Sequence, residues 1–547
     1  MNRRLAERIA LITLLLIVAA TPWAQAPLIG RLSFPTSETG RAQDAFERGV
    51  LYLHNFEYDD AIIAFRDAQR LSPGFAMAYW GEALCQWQPL WYNENVPRAR
   101  EILNRLAPTP AARAAKAGTP REKAYLAALE TLFGQGTGIA RAQRFADALA
   151  VIARDYPTDD EAQAFESLAL LATIPEHTRR PDISLKAGGI ASALLKRNPN
   201  HPGAAHYMLH AYDDGERASL ALPAARSYAS IAPQSSHAQH MPSHAFLPLG
   251  MWEEAAKSDQ ASWESSVTWV RKSGRTINQQ DFHSLSWLHF EYLQQGRFAK
   301  AREVSTLVAQ ALDQTVKLGA AATMAGPGHG AMASEIGRGY DAVGLRNELS
   351  NMRARSIIEG ADWHLMKGSS SFGNVDELAT LGLSAVANDD NARAEAVLAE
   401  LRKAVSTAPD KDAADVTAIM IDEVSATLAI AQGRQGEALS LLSKAAAREY
   451  ARPKPIARPY PPKPAGELYA EALAGLGQPQ TAMAEFRKVL QRLPRRPMAV
   501  LGLARAAKAA GNAAEAQRAA NEFLGLWRLA DNNRPELAEA RALAGRR

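Results

Sequence analysis

The sequence predicts an all-α protein, a right-handed superhelix of antiparallel helix pairs. Three observations carry this reading. Small and aromatic residues return at 34-residue spacing towards both ends of the chain, the period of a two-helix repeat. Alanine is abundant and aromatic residues make up only 7%, which favours helix over strand. At 547 residues the chain outgrows one ordinary hydrophobic core, and a stack of units that each bury a face against the next meets that limit.

The first element is a candidate secretory signal peptide, residues 1–26. Arg3, Arg4 and Arg8 form a positive start, Ile9 to Ala20 is apolar, and Ala24-Gln25-Ala26 fits a small-x-small cleavage site. The apolar run is short for a bilayer span, so cleavage is expected, with an uncleaved anchor as the alternative. The expected destination lies across the inner membrane, in the periplasm. No other apolar run reaches 18 residues, so no stable membrane insertion is expected after cleavage. Cys85 is the only cysteine; it excludes an intramolecular disulfide, and its apolar surroundings suit a buried, inert thiol. The formal charge is +4, of which the three Arg and one Glu of the signal segment account for about half. The remainder carries no basic stripe, so nucleic acid is not an expected partner.

The repeats follow. From Ala42, residues Gly49, Tyr52, Ala61, Phe65, Ala68 and Pro73 stand at positions 8, 11, 20, 24, 27 and 32 of a helix–turn–helix unit. The next unit begins at Ala76, with Tyr79 and Ala83 in place. Near the other end Ala482, Phe486 and Pro494 mark a unit, Ala516 lies 34 residues after Ala482, and Gly477 and Gly511 are also 34 apart. This pattern resembles the tetratricopeptide repeat (TPR). In the middle the register starts units at Pro202, Ser236 and near Phe282. The expected divisions are N-terminal units over 40–110, degenerate units over 120–370 and C-terminal units over 371–547. Residues 107–120 read as loop or weak helix, and Gly326-Pro327-Gly328-His329-Gly330 as a turn with a mobile or surface histidine. The six prolines of 452–464 read as a polyproline spacer, or less simply as a docking segment.

Five of the twelve histidines fall between His206 and His244. His206, His210 and Asp213 are spaced i, i+4, i+7, and His237, His240 and His244 are spaced i, i+3, i+7, so each helical set lines one face. In TPR domains the first helix of each pair lines the concave groove, at positions 2, 5, 9, 12 and 13. The register puts His206, His210, Asp213 and Asp214 at 5, 9, 12 and 13, His237, His240 and His244 at 2, 5 and 9, and His283 at 2 of the following unit. Packed helix axes lie about 8–10 Å apart, close enough for these side chains to converge.

His206, His210, Asp213, His237, His240, His244 and His283 are therefore candidate ligands of a divalent transition metal: zinc, copper, iron or manganese. A metal-free polar or acid–base site and a hydrogen-bonded structural core are the other readings. The spacing His206-Tyr-Met-Leu-His210 lacks the glutamate of H-E-x-x-H proteases. Pro242 interrupts hydrogen bonding in any helix starting at His237, so that helix starts either there or near Pro242. Asp281 is an extra ligand or an N-cap. The aromatic run Tyr79-Trp80, Trp87 and Trp91-Tyr92 reads mainly as core, with the loop 91–95 in reach of the groove.

The segments His206-Tyr-Met-Leu-His210-Ala-Tyr-Asp213 and His237-Ala-Gln-His240-Met-Pro-Ser-His244 resemble a group of bacterial TPR proteins with HYxxHAYD and HxxHMPSH blocks. The resemblance covers most of 40–530 and implies the fold, not a reaction. The leading expectation is an exported binding or scaffold protein whose groove takes a peptide, protein, small molecule or metal ion. A metal-dependent hydrolase or oxidoreductase is the alternative.

Overall fold

Successive helices run antiparallel and each packs on its sequence neighbours. In this computed structural model, which describes residues 29–176, 178–319, 339–369 and 373–545, the pairing continues from Gly40–His54 and Tyr58–Leu71 to Ala513–Leu526 and Pro535–Leu543. First helices also touch the next first helix, as Ala465–Gly475 touches Pro497–Ala509. This is the TPR-like, all-α solenoid that the repeat spacing predicts. The signal-peptide expectation for 1–26, and that for His329, lie outside the described residues.

The repeat residues act as expected from size. Phe65 fills the crossing between helices because Gly49 and Gly81 leave room: a Cβ on either would stand 2.6 or 2.3 Å from its ring. Phe486 sits against Gly502 in the same way, at 2.3 Å. Gly477 and Gly511 turn the chain between helices at φ +76° and +78°, a conformation that costs a side-chain-bearing residue energy. Residues 107–120 contain one short helix, Pro110–Ala114. Cys85 is buried, and burial pushes its thiol well up.

Two departures from plain helix pairing shape the interior. After the helix Ala76–Leu84, Trp87–Gln88 pairs antiparallel with Asn93–Glu94, and the tip Pro89–Trp91 between them points Trp91 inwards. The proline-rich stretch 452–464 is a strap bonded to several distant helices of the solenoid. Proline has no N–H to give, but its carbonyls accept: Arg179 donates to Lys454 O at 3.1 Å, Arg355 to Pro459 O at 2.9 Å, and Arg492 to Arg452 O and Pro453 O at 2.9 and 2.8 Å. The spacer thus docks on its own chain.

The strap leads into the last repeats, which fold back on the middle. Trp252 Nε1 donates to Arg495 O at 2.9 Å, and Trp527 Nε1 to Gln294 O at 3.1 Å. One apolar core consequently joins residues between Phe34 and Met352 to those between Ala470 and Ala544. A second core spans Ile357 to Leu428. Arg496, buried between Glu359 at 2.8 Å and Glu467 at 2.6 Å, ties the two regions together.

Candidate metal centre

The helix Pro202–Ala211 carries His206 and His210 on one face. The second histidine block is helical on both sides of Pro242, over Ser236–His240 and Ser243–Phe246, with a break where proline lacks its N–H. The break divides the expected stripe. His237 turns to His206 and His210, while His240 and His244 meet His283 on the helix Phe282–Gln294. Two tri-histidine sets result, each with its ligand atoms within 4.8 Å of one another. They adjoin: the rings of His210 and His244 are 6.4 Å apart.

In the first set, His206 Nε2 lies 2.9 Å from His237 Nε2 and 3.0 Å from His210 Nε2. His206 Nδ1 is 2.6 Å from the backbone carbonyl of His54. A carbonyl only accepts, so Nδ1 carries the proton and Nε2 is bare. Its single in-plane lone pair faces two nitrogens and can accept from only one. In the second set, His244 Nδ1 donates to Asp213 Oδ2 at 2.9 Å, and Nε2 of His244 and His240 stand 2.9 Å apart. His240 Nδ1 is held 2.5 Å from Asp259 Oδ1. His283 Nε2 and His237 Nδ1 have no hydrogen-bond partner.

Five of these rings, those of His206, His210, His237, His240 and His283, are held neutral. Burial, followed by neighbouring imidazoles, holds His206 and His210 well below the ordinary histidine value, and His237 and His283 likewise. The same causes bring His240 down to about 3. Neutral imidazole is the form a metal takes. Three nitrogens about 2.0–2.1 Å from one ion lie a little over 3 Å apart; the contacts of 2.9–3.0 Å need a small expansion, and the remaining pairs already lie within 4.8 Å. The outward nitrogens of His206, His240 and His244 rest on the His54 carbonyl, Asp259 and Asp213, the arrangement that orients metal-bound histidine.

Apolar rings wall both sets. Phe56 packs on His206 at 4.2 Å and His210 at 5.8 Å. Tyr228 stacks on His206 at 5.2 Å, and Trp91 reaches His237 at 6.0 Å. Trp287 covers His244 at 4.6 Å, His240 at 5.1 Å and His283 at 5.2 Å. The site is not an open groove: His206 and His240 are fully buried. Access comes from a cleft of about 240 Å³ lined by His210, Asp213, Tyr92, Leu90 and the strap's Ile456.

Several sequence candidates take other positions. Asp213 stands behind His244. Asp214 accepts from the backbone N–H groups of Glu216 and Arg217 at 2.8 Å each. Asp281 caps its helix through Ser284 N at 3.0 Å. The sequence reading missed Asp259, Tyr228 and a third cluster, His54, Glu161 and His201. His54 occupies position 13 of its unit, so the groove register held that signal; nothing marked Glu161 or Asp259. The third cluster is satisfied internally. His54 Nε2 donates to Glu161 at 2.5 Å while its Nδ1 accepts from Tyr207 Oη at 2.8 Å. His201 Nε2 donates to Glu161 at 3.2 Å, and its Nδ1 accepts from Ala204 N at 3.2 Å. Burial raises the Glu161 carboxyl, but His54 and His201 outweigh it and bring it down to about 2. This anchored network holds the His54 carbonyl on which His206 rests.

No protein-family model and no curated protein matches the sequence. Among solved structures the chain is similar to yeast Tom70, at 13% identity over 92% of this chain and 95% of that one, TM-score 0.29. It is also similar to a human IFIT1 dimer with PPP-AAAA, at 12% identity over 90% and 91%, TM-score 0.32. The TPR domain of P58(IPK) aligns at 18% identity over 71% and 99%, TM-score 0.20. The TPR-like assignment rests on this chain's own helix pairing. No helix among the described residues is long and apolar enough to cross a membrane.

Proposed function

We propose that this is an exported, periplasmic bacterial metalloprotein in which His206, His210 and His237 hold one transition-metal ion and His240, His244 and His283 hold a second. The observation that carries this is the bare His206 Nε2 facing two imidazole nitrogens at 2.9 and 3.0 Å. A cation shared by the three lone pairs satisfies all of them; a proton satisfies one contact. Neither set includes a carboxylate or thiolate. All-imidazole donors of low total charge in an aromatic pocket suit copper better than iron or manganese, which favour carboxylate oxygen.

The function that fits a paired, all-imidazole centre is a metal-dependent oxidoreductase, with the ions supplying electron transfer or oxygen activation when bound. The chain's own residues orient and enclose. His54 O and Asp213 fix the ring tautomers of His206 and His244, and Asp259 holds His240 in place. Phe56, Trp91, Tyr228 and Trp287 exclude water. The cleft beside His210 admits a small substrate, and Asp213 Oδ1, which has no partner, is a spare hydrogen-bond acceptor along it. The second reading is a scaffold with structural metal, favoured by the deep burial of the rings. A peptide partner would have to displace the strap, whose Ile456 lines the cleft beside His210.

Elemental analysis of untagged protein, before and after copper resupply, tests the proposal. About two metal equivalents per chain are expected, falling to about one in the double variant His240→Ala, His244→Ala with helical content retained. Sub-stoichiometric metal in the resupplied wild type overturns it.

A further inference from the structure

A second cavity lies away from the histidines, between the helix Ala342–Gly360, the helix Lys411–Ala431 and the strap. Its volume is about 570 Å³, within the range that takes small-molecule ligands. Asn347, Asn351 and Arg355 recur every four residues and line it from one helix face. Asp376, Thr417 and the strap residues Arg458 and Tyr460 line it too.

Arg355 is the informative residue. It is only 4% exposed. Its Nη2 donates to Pro459 O at 2.9 Å, and its guanidinium stands 5.4 Å over the Phe290 ring. Its Nε and Nη1 are buried without any partner, and no carboxylate lies within ion-pair distance of it among the described residues. Burial, with Arg458 nearby, lowers it only to about 10, so it is charged at neutral pH. A buried guanidinium with two idle N–H groups is costly. The adjacent Arg458 adds a second positive charge, only loosely offset by Glu348 at 3.7 Å.

We propose that this cavity binds a small organic carboxylate, held by the fork of Arg355 with Arg458 close by. Either idle N–H, together with the second hydrogen of Nη2, makes the two parallel hydrogen bonds that match a carboxylate. The amides of Asn347 and Asn351 and the hydroxyl of Thr417 offer neutral donors for the rest of such a molecule. Inorganic phosphate is the other oxyanion an arginine fork takes, and it is the competing occupant that the titrations distinguish.

The test is calorimetric titration of the full-length protein with succinate, with its neutral diamide and with inorganic phosphate. Succinate is expected to bind with Kd below about 1 mM, and the diamide not at all. Arg355→Gln should weaken succinate at least about tenfold. Ala413→Trp, which fills the cavity and leaves both arginines in place, should do the same, so a folding defect at Arg355 alone cannot decide the outcome. Metal content should be unchanged in both variants, which separates this site from the histidine centre. Absent succinate binding, equal binding of the diamide, binding of phosphate alone, or unaltered binding in Ala413→Trp would each overturn the proposal.

Discussion

Asp213→Asn separates an orienting carboxylate from a metal ligand. Asp213 Oδ2 accepts the Nδ1 proton of His244 at 2.9 Å, and Oδ1 has no partner. Asparagine is isosteric: its carbonyl oxygen can take the place of Oδ2 and its amide the place of Oδ1. The hydrogen bond survives; the negative charge that makes His244 a stronger donor to metal does not. Changes to such outer partners typically cost about 10–100-fold in metal affinity, or about 1.4–2.7 kcal/mol. The effect should be confined to the set of His240, His244 and His283, since Asp213 makes no hydrogen bond to the other set. Chelator competition, read as metal equivalents released against chelator concentration, should resolve two steps. In Asp213→Asn the weaker step should move by about one to two decades while the other stays in place. Loss of metal as complete as in His244→Ala would make Asp213 a ligand itself. No shift in either step, or an equal shift in both, would refute the assignment of its role.

Three further outcomes follow from the geometry. Gly203→Ala places a Cβ 2.4 Å from His54 Nδ1; with His54 pinned by Glu161 and Tyr207, overpacking of about 1–3 kcal/mol is expected by urea unfolding, together with weaker metal binding at the His206 set, and unchanged stability would count against the anchored network. Arg496→Met removes the ion-pair partner of Glu359 and one of the two partners of Glu467, which keeps Lys463 at 2.9 Å; leaving the buried Glu359 carboxylate unpaired is expected to cost about 3–5 kcal/mol, and a loss under about 1 kcal/mol in chemical unfolding would show that the link between the two regions is not held there. His289, buried with Nε2 3.0 Å from Ser356 Oγ, has its pKa brought down to about 3 by burial and by Arg458 and Arg355. Below about pH 6.5 the unfolded chain protonates this ring while the folded chain does not, so wild type loses about 1.4 kcal/mol per pH unit relative to His289→Gln as pH falls towards 3. Unfolding midpoints of the two proteins that stay parallel between pH 7 and 5 would contradict this.

The sequence by itself determined the repeat and the side chains that gather. Gly49, Phe65, Gly477 and Gly511 mark helix crossings and turns because size and backbone freedom act locally. The groove register placed the histidines on facing helices because helical periodicity fixes direction. It even held His54, at a position not read as part of the site. Tertiary structure decided the rest. Pro242 breaks the second block, and only packing shows His237 turning one way and His240 the other, so one expected site becomes two sets. Asp213 and Asp281 became a hydrogen-bond partner and a cap, roles that depend on which atoms lie within about 3 Å. The supports Glu161 and Asp259 come from helices whose sequence carries no periodic sign of them. The closure of the groove was also hidden, because a proline-rich segment has no pattern of its own to say where it lies. Its carbonyls found Arg179, Arg355 and Arg492, residues far away in the chain, and those long-range hydrogen bonds turned an expected open surface into an enclosed interior.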